Sequence, residues 1–469
     1  MPLRLSKVQI CDIQYLNLLS LGYNIGVPEK ATKKTDFREK AINNLTQLIE
    51  NEEYHCRSKN GFTGVFSRDR TLTFKIVVLI IMRGIKRSVQ RELDSFFKEV
   101  HSGDFDIREA TKGAFTQARA KLKYEAFIEM NDNVNDTFYK EAPYLVWHHM
   151  RLLAADGTRL ALPKHHSVVA EFGEHSFGPN ADSKQSLAIG SFLYDCLNLV
   201  TVDAQIGPYS SSEGELLDKH LDKVKQGDLL LLDRGYPSYA LLFKLAAKRV
   251  QFCVRMKEEW WLQVKEFKDS GEKDAIVELC LPKKDRHLLG QLPELQSDKL
   301  TCRFIRIELD NGQTEILCTS LIDQQKYTYE DMAELYHFRW TVEEGYKLFK
   351  ARAEIESFSG KTALAVKQEF YAGVFTLSLC AVLAFPIEDL VRKQSAAKGN
   401  KYQSKINRTS ALAQTKRLTI PIFLQKQVNK AIGAFDKLMF RTTEIIRPGR
   451  RFERKKKLKK PYNMVYKQL

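Results

Sequence analysis

The sequence has few cysteines for its 469 residues, and their spacing argues against the common zinc-binding motifs. The eight cysteines include no Cys-x2-Cys pair, and several lie within apolar runs typical of strands. We therefore expect reduced, buried cysteines of a cytoplasmic protein and no structural zinc site.

Long apolar segments are also scarce. Residues 1–6, Met-Pro-Leu-Arg-Leu-Ser, contain no apolar core segment, so we expect no signal peptide. Residues 370–387 form the one weakly polar run of 18 residues that is a candidate membrane span. The run contains glycine, threonine, serine and proline and continues a helical pattern, so we interpret it as a buried core helix. The alternative function, a membrane-associated basic protein, is therefore not favoured, and no membrane partner is expected.

Acidic residues are fewer than basic ones, 58 against 74, which gives a formal net charge of +16. Residues 447–469 hold ten basic residues and one acid, so 10 − 1 = 9 of these charges lie in that segment. Such a run is typically a solvated tail, although it also attracts DNA through counterion release. The remaining +7 is modest, so any precise DNA recognition would depend on individually placed residues.

One segment places polar residues at helical spacing. At about 100° per residue, four side chains fall within an arc of roughly 60° along about 21 Å of one helix: Tyr336, Arg339, Glu343 and Lys350. A carboxylate flanked by a hydroxyl and two cations suits a phosphodiester beside a metal ion. The alternative is a solvated helix face with an Arg339–Glu343 ion pair, against which the aromatic residues Tyr336 and Trp340 argue.

Two aspartates upstream follow apolar runs. Asp156 lies between Leu-Leu-Ala-Ala and Gly-Thr, which predicts a strand, a turn and a returning strand. Asp233 follows four leucines, which predict a strand buried on both faces with Asp233 at its C-terminal end. Such strand ends are where open α/β sheets bind ligands. Taken singly, each aspartate is more often a turn residue or a helix cap.

The spacing Tyr-x2-Arg-x3-Glu-x6-Lys resembles the YREK signature of the cut-and-paste DDE transposases of bacterial insertion sequences. The phrases Asp156-Gly-Thr and Asp233-Arg-Gly-Tyr-Pro are similar to that family's sequences, so the resemblance extends from about residue 150 to 385. It implies that Asp156, Asp233 and Glu343 are catalytic and hold two Mg²⁺ ions, with Mn²⁺ as the expected substitute. It also implies phosphate binding by Tyr336, Arg339 and Lys350.

The same resemblance implies the partners and the reaction. The expected partners are double-stranded DNA, both terminal inverted repeats and target DNA, bound by a homodimer in the bacterial cytoplasm at the nucleoid. The expected reaction is metal-dependent cleavage at the element ends followed by strand transfer. A metal-dependent nuclease without strand transfer stays open as an alternative. A non-catalytic DNA-binding descendant also stays open, although three intact carboxylates argue against it.

The fold implied by the resemblance is α/β, with a ribonuclease-H-like mixed sheet flanked by helices and interrupted by a mostly β insertion. A helical N-terminal region and a basic C-terminal region complete it. The predicted segments are a helical DNA-binding region at 1–145, the first part of the catalytic core at 146–257, the insertion at 258–327, the second part of the core with the glutamate-bearing helix at 328–390, and a C-terminal helical region with its basic tail at 391–469.

Three finer predictions concern loops and helices. Asp310-Asn-Gly between two apolar alternations predicts a hairpin in the insertion. Residues 108–122 suggest a short DNA-binding helix whose exposed side chains would include Lys112, Gln117, Arg119 and Lys121. Relatives with such an insertion stack an aromatic on a flipped base, which makes Trp260 or Trp261 a candidate wedge, although packing within the insertion is the preferred interpretation.

Overall fold

The computed structural model describes residues 25–27, 36–61, 64–66, 70–176, 184–295, 297–308, 314–399 and 401–446. The basic run at 447–469 and the turn predicted at Asp310-Asn-Gly lie outside the described residues, so both stay predictions.

The described residues contain thirteen strands: β1 (Ile25–Gly26), β2 (Val146–Trp147), β3 (Leu152–Ala161), β4 (Glu174–Ser176), β5 (Lys184–Asp195), β6 (Val200–Pro208), β7 (Leu229–Leu232), β8 (Gln251–Met256), β9 (Asp274–Cys280), β10 (Lys299–Glu308), β11 (Thr314–Thr319), β12 (Ser404–Ile406) and β13 (Thr443–Ile445). They also contain sixteen α-helices: α1 (Phe37–Glu50), α2 (Glu52–Ser58), α3 (Phe74–Arg83), α4 (Val89–Val100), α5 (Lys112–Arg119), α6 (Glu125–Glu141), α7 (His166–Phe172), α8 (Glu213–His220), α9 (Tyr239–Ala247), α10 (Leu262–Ser270), α11 (Leu288–Gln291), α12 (Tyr329–Leu335), α13 (Thr341–Lys347), α14 (Ala363–Ala397), α15 (Arg408–Phe423) and α16 (Val428–Arg441).

Nine strands form one mixed sheet, in the order β6-β5-β3-β7-β8-β11-β10-β9, with β4 paired to the start of β5. Strands β3, β7 and β8 are parallel, whereas β5 and β6 are antiparallel to their neighbours. All four leucines of β7 are fully buried, as expected of a strand covered on both faces. The predictions of an α/β fold and of a large mixed sheet are therefore confirmed.

Helices cover both faces of the sheet. Helices α8, α9 and α10 pack on one face, in a core that includes Leu217, Leu242 and Val264. The other face contacts α14, which also packs against α6, α3 and the C-terminal helices. The N-terminal and C-terminal helices thus share one continuous core with the sheet.

Helix α14 contains the predicted core helix at 370–387. It has 35 residues and is long and apolar enough to cross a membrane by length and composition, but 83% of its most apolar 18-residue window is buried. Residues from several elements contact it: the hydroxyl of Thr376, for example, donates to the carbonyl of Met82 at 3.2 Å. This burial supports the interpretation of the run as a core helix.

The turn predicted at Asp156-Gly157 is wrong. Strand β3 runs through both residues, with Asp156 paired to Phe192 and Gly157 to Ser191 across β5. An Asp-Gly pair reverses a chain when glycine adopts a positive φ, and Gly157 is not among the described glycines with positive φ. Continuous pairing with β5 from Leu153 to Ala161 therefore determines the local conformation, and Asp156 lies within a strand.

The DNA-binding prediction for Arg119 is also wrong. Residues 112–119 do form a helix, α5, on which Lys112 and Gln117 are exposed. Arg119, however, is only 5% exposed and donates hydrogen bonds to Gln368 at 3.0 Å and Glu369 at 3.1 Å. A buried guanidinium with these partners fixes α5 to α14, so it is not available to a DNA groove.

The predicted β insertion continues the main sheet. Strand β11 pairs with β8, and β10 and β9 follow in antiparallel order. The strand expected at 299–307 is confirmed, and the one expected at 314–322 ends at Thr319. Trp261 is buried and stacks on Tyr239 at 4.0 Å between ring centroids. Trp260 is 56% exposed, with the ammonium of Lys257 3.3 Å from its ring centroid. Of the two tryptophans, only Trp260 presents its ring to solvent.

Candidate functional site

Strand pairing brings Asp156 and Asp233 to the same level of the sheet. Ala155 in β3 is the register partner of Leu232 in the parallel strand β7. Asp156 and Asp233 are the residues that follow these two, so their backbones lie side by side at the C-terminal end of β7. Glu343 comes from the first turn of α13, a helix that packs against β3 and β5. The three carboxylates predicted from the sequence thus share one end of the sheet.

The helical segment that carries Glu343 is continuous but not uniform. A 3₁₀ turn at Tyr336–Trp340 precedes α13, and a π-helical turn at Leu348–Arg352 follows it, so the prediction of one regular helix is wrong. In a 3₁₀ turn, residues three apart eclipse one another, which places Tyr336 directly above Arg339. The apolar residues Phe338, Val342 and Phe349 of this segment are buried.

Arg339 forms the centre of the site. Its side chain is 2% exposed, with Nη1 3.6 Å from Asp156 Oδ2 and Nη2 3.6 Å from Glu343 Oε1. The guanidinium also lies 4.4 Å from the ring centroid of Trp340. Arg339 therefore acts as an internal counter-charge between carboxylates, which replaces the alternative of a solvated surface pair.

The two aspartates have opposite electrostatic environments. Burial raises the pKa of Asp156 to about 6; the charges of Glu343 and Glu213 add to this, while Arg339 opposes it. Burial alone would raise the pKa of Asp233 as well, but Arg339 and Arg255 outweigh burial and hold it below its usual value. Asp156 is thus the carboxylate that most needs an added cation.

Tyr336 and Lys350 lie at different ends of the site. The Tyr336 hydroxyl is buried and donates to the carbonyl of Leu232 at 3.3 Å, and it lies 3.5 Å from Asp233 Oδ1. Lys350 Nζ contacts the half of β3 beyond Asp156: it hydrogen-bonds the carbonyl of Arg159 and lies 3.6 Å from Glu356 Oε1. Phosphate binding by Tyr336, Arg339 and Lys350 stays a prediction.

Arg255 belongs to the site although sequence reasoning missed it. From β8, its guanidinium contacts Asp233 Oδ1 at 2.7 Å and Glu315 Oε1 on β11 at 2.6 Å. The available signal was an arginine inside the apolar strand Gln-Phe-Cys-Val-Arg-Met, because a charge in such a strand requires a partner.

Glu213 and Tyr236 were also missed. Glu213 lies in the first turn of α8, where glutamate is expected simply as part of a capped helix start, so its sequence context did not distinguish it. Burial and the charge of Asp233 raise the pKa of Glu213. Tyr236 appears in the phrase Asp-Arg-Gly-Tyr-Pro, but only the folded chain shows that its hydroxyl is buried.

A buried polar network fixes the backbone at Asp156. The carbonyl of Asp156 accepts hydrogen bonds from the hydroxyls of Tyr346 and Ser191, the latter at 3.3 Å. His220 links Ser191, at 3.0 Å, to Asp203, at 2.7 Å. This set resembles a hydrolase triad in composition, but Ser191 and His220 are fully buried, so it supports β3 and meets no substrate.

The donor set of the site suits a hard divalent cation. Its ligand atoms are carboxylate oxygens, which Mg²⁺ prefers, and Arg339 already places a positive charge among them. Among the residues that the structure describes, however, no three histidine, cysteine, aspartate or glutamate side chains are close enough together to hold a metal ion. The chemistry of the donors therefore fits, and a closed coordination shell is not formed.

Comparison with known proteins identifies the region that contains this site. Residues 147–379 match the family described as "Transposase DDE domain". The chain is 26% identical to the transposase InsG for insertion sequence element IS4 of Escherichia coli (strain K12) over 271 residues, which are 57% of this chain and 59% of that protein. The match therefore spans less than two thirds of that relative's length. A chain of the piggyBac transposase synaptic complex with hairpin DNA aligns with a TM-score of 0.43 and 12% identity, covering 88% of this chain and 87% of that one.

Proposed function

We propose that this chain, which carries a transposase DDE domain over residues 147–379, cleaves DNA at the ends of a mobile element and joins those ends to target DNA. The observation that carries the proposal is the convergence of Asp156, Asp233 and Glu343 around Arg339 within the matched region. A carboxylate cluster beside the C-terminal end of β7, with a buried arginine among its members, is suited to phosphodiester chemistry.

A ribonuclease-H-like layout is part of this proposal. It is supported by the strand order β6-β5-β3-β7-β8, in which β6, β5 and β3 are antiparallel and β3, β7 and β8 are parallel. In this arrangement the central strand β3 carries one carboxylate, and the next parallel strand ends at another. The helix with Glu343 then supplies the third from outside the sheet.

Asp156, Asp233 and Glu343 would hold the metal, which we propose to be two Mg²⁺ ions with Mn²⁺ as a substitute. Such ions supply activation of the attacking oxygen and stabilisation of the leaving oxygen. The raised pKa of Asp156 supports the assignment, because an added cation would relieve the unfavourable charge that burial imposes on this carboxylate. The lowered pKa of Asp233 keeps that carboxylate ionised and ready as a ligand at neutral pH.

The remaining residues would position DNA. Arg339 and Tyr336 lie at the buried floor of the site and would contact a phosphate that approaches the carboxylates. Lys350, whose side chain is 29% exposed, would bind a phosphate farther along the DNA strand, near the C-terminal half of β3. Contacts on both sides of the scissile bond would hold it in line with the attacking oxygen.

The proposed reaction begins when water nicks the 3′ end of the element. The freed 3′-OH attacks the opposite strand to form a hairpin, which is reopened before the end is joined to target DNA. A homodimer pairing two element ends in the bacterial cytoplasm is the proposed working form. Its DNA partners would be the terminal inverted repeats and the target.

Joining of pre-cut ends tests this function against a plain nuclease. The substrate is a duplex carrying the DNA that flanks the gene, with its 3′-OH already exposed, mixed with supercoiled plasmid and Mg²⁺. A transposase yields products in which the duplex end is covalently joined to plasmid DNA. A nuclease yields only shortened duplexes. Cleavage without any joined product would refute the proposal in favour of the nuclease.

A further inference from the structure

Glu213 lies against the two glycines that accompany the site aspartates. A Cβ atom placed on Gly157 would lie 2.9 Å from Glu213 Oε1, and one placed on Gly235 would lie 2.7 Å from Glu213 Oε2. Both distances are shorter than ordinary contacts of a Cβ atom, so neither position accommodates alanine unless Glu213 moves. Gly157 directly follows Asp156, and Gly235 lies two residues after Asp233.

Space, rather than backbone conformation, explains these two glycines. Neither is among the described glycines with a positive φ, so neither position demands glycine for its dihedral angles. Together they form a cradle, defined here as Gly157 and Gly235, in which the carboxylate of Glu213 lies beside Asp156 and Asp233. The missing Cβ atoms leave the space that this carboxylate occupies.

Tyr236 provides a second, independent observation. Tyr236 is 3% exposed, and its hydroxyl has no hydrogen-bond partner among the residues that the structure describes. The charged groups that act on this hydroxyl are Glu213, Asp156, Asp233 and Arg339, so it faces the carboxylates together with their central arginine. A buried hydroxyl without a partner is costly and indicates a ligand that completes the site.

The net charge of the ionised side chains at the site also favours the binding of a cation. Two guanidinium groups, Arg339 and Arg255, interact with five carboxylates around the site: those of Asp156, Asp233, Glu343, Glu213 and Glu315. When all are ionised, the balance is 2 − 5 = −3. Without Glu213 it would be −2, so this residue adds to the attraction of the site for a divalent cation.

We propose that Glu213 is a fourth carboxylate of the divalent-cation site, held by the glycine cradle and acting as a positioning residue that increases cation affinity. The proposal rests on the proposed function, because it takes Asp156, Asp233 and Glu343 as the principal ligands. Glu213 acts on the cation through its charge, so its removal weakens binding without abolishing it.

Direct measurement of Mn²⁺ binding to the full chain tests this inference. Titration followed by electron paramagnetic resonance of free Mn²⁺ would compare the wild type, Glu213→Gln and Glu215→Gln. Glu215 is the matched control, since it is an exposed glutamate in the same helical turn, and glutamine at its position retains the capping box. We expect Glu213→Gln to bind Mn²⁺ about 10- to 100-fold more weakly, and Glu215→Gln to match the wild type.

Gly235→Ala provides a second variant that removes no carboxylate. The added methyl group would displace Glu213 from the cradle, so Mn²⁺ affinity falls in the same direction as in Glu213→Gln. Gly290→Ala is the control, because Gly290 has open space around its Cβ position and lacks a positive φ. The inference is overturned if Glu213→Gln binds Mn²⁺ as tightly as Glu215→Gln.

Asp233→Asn separates this failure from failure of the proposed function. Wild-type binding that is lost in Asp233→Asn but unaffected in Glu213→Gln would leave the three-carboxylate site standing and remove only Glu213 from it. Absence of Mn²⁺ binding in the wild type would overturn both proposals together.

Discussion

Neutralising Asp156 and Asp233 should change the stability of the metal-free protein in opposite directions. The pKa of Asp156 is raised to about 6 from an ordinary 3.8, so above pH 6 the folded state carries a carboxylate that the unfolded chain ionises more readily. The resulting loss of folding stability is absent below the ordinary pKa of 3.8, grows as the pH rises to about 6 and is complete above that pH. Asp156→Asn, which mimics the protonated form, removes this penalty.

The magnitude follows from the two pKa values. The gap between about 6 and 3.8, at 1.36 kcal/mol per pH unit, corresponds to about 3 kcal/mol. Because the side chain of Asp156 retains 19% exposure, we expect a gain of about 1–3 kcal/mol for Asp156→Asn at pH 7.5. Asp233→Asn removes a partner of Arg255 and should lower stability by about 1–3 kcal/mol.

The assay is urea denaturation in EDTA, followed by circular dichroism, at pH 7.5 and pH 4.5. Asp218→Asn is the control, because this exposed residue pairs only with Lys244 and should change stability by less than about 1 kcal/mol. The gain of Asp156→Asn should shrink at pH 4.5, where the folded wild type is protonated at this site. Equal destabilisation by Asp156→Asn and Asp233→Asn at pH 7.5 would refute the electrostatic assignment.

Three further substitutions test other parts of the account. Arg339→Met should lower the free energy of unfolding in EDTA by about 3–5 kcal/mol, since it leaves the half-buried carboxylates of Asp156 and Glu343 without their arginine. Saturating Mn²⁺ should restore part of the loss, and equal losses with and without Mn²⁺ would contradict this. Arg119→Met should lower the free energy of unfolding by about 3–5 kcal/mol and leave the salt dependence of DNA binding unchanged. Lys112→Ala should leave the free energy of unfolding unchanged. Trp261→Ala should lower stability by about 3–5 kcal/mol and Trp260→Ala by less than about 1 kcal/mol, with thermal unfolding as the measurement; the reverse order would contradict the packing described.

Local sequence patterns predicted the parts of the fold in which local and tertiary preferences agree. The four leucines before Asp233 require burial on both faces, and β7 is accordingly covered by helices on each side. Helix α9 begins after Ser238, whose hydroxyl accepts from Leu241 N–H at 3.1 Å, as a capping residue predicts. Both features can be predicted from neighbouring residues alone, without contacts to residues distant in the sequence.

The predictions failed where contacts with residues distant in the sequence determine the local structure. Asp156-Gly157 has the local chemistry of a turn, yet pairing with β5 keeps it extended. Arg119 has the character of a surface residue until Glu369, 250 positions away, is known to lie opposite. Glu213 was missed for the same reason, because its glycine cradle combines Gly157 within β3 with Gly235 in the loop after β7.

The central claim is that the carboxylate cluster catalyses DNA cleavage, and neighbouring glutamates allow it to be tested directly. Glu343 belongs to the cluster, whereas Glu344 is exposed and pairs with Lys347. The measurement is Mg²⁺-dependent cleavage of duplexes carrying the gene's flanking DNA by Glu343→Ala, Asp233→Ala and Glu344→Ala. We expect loss of cleavage in the first two variants and wild-type cleavage in the third. Unchanged cleavage by Glu343→Ala or Asp233→Ala would contradict it.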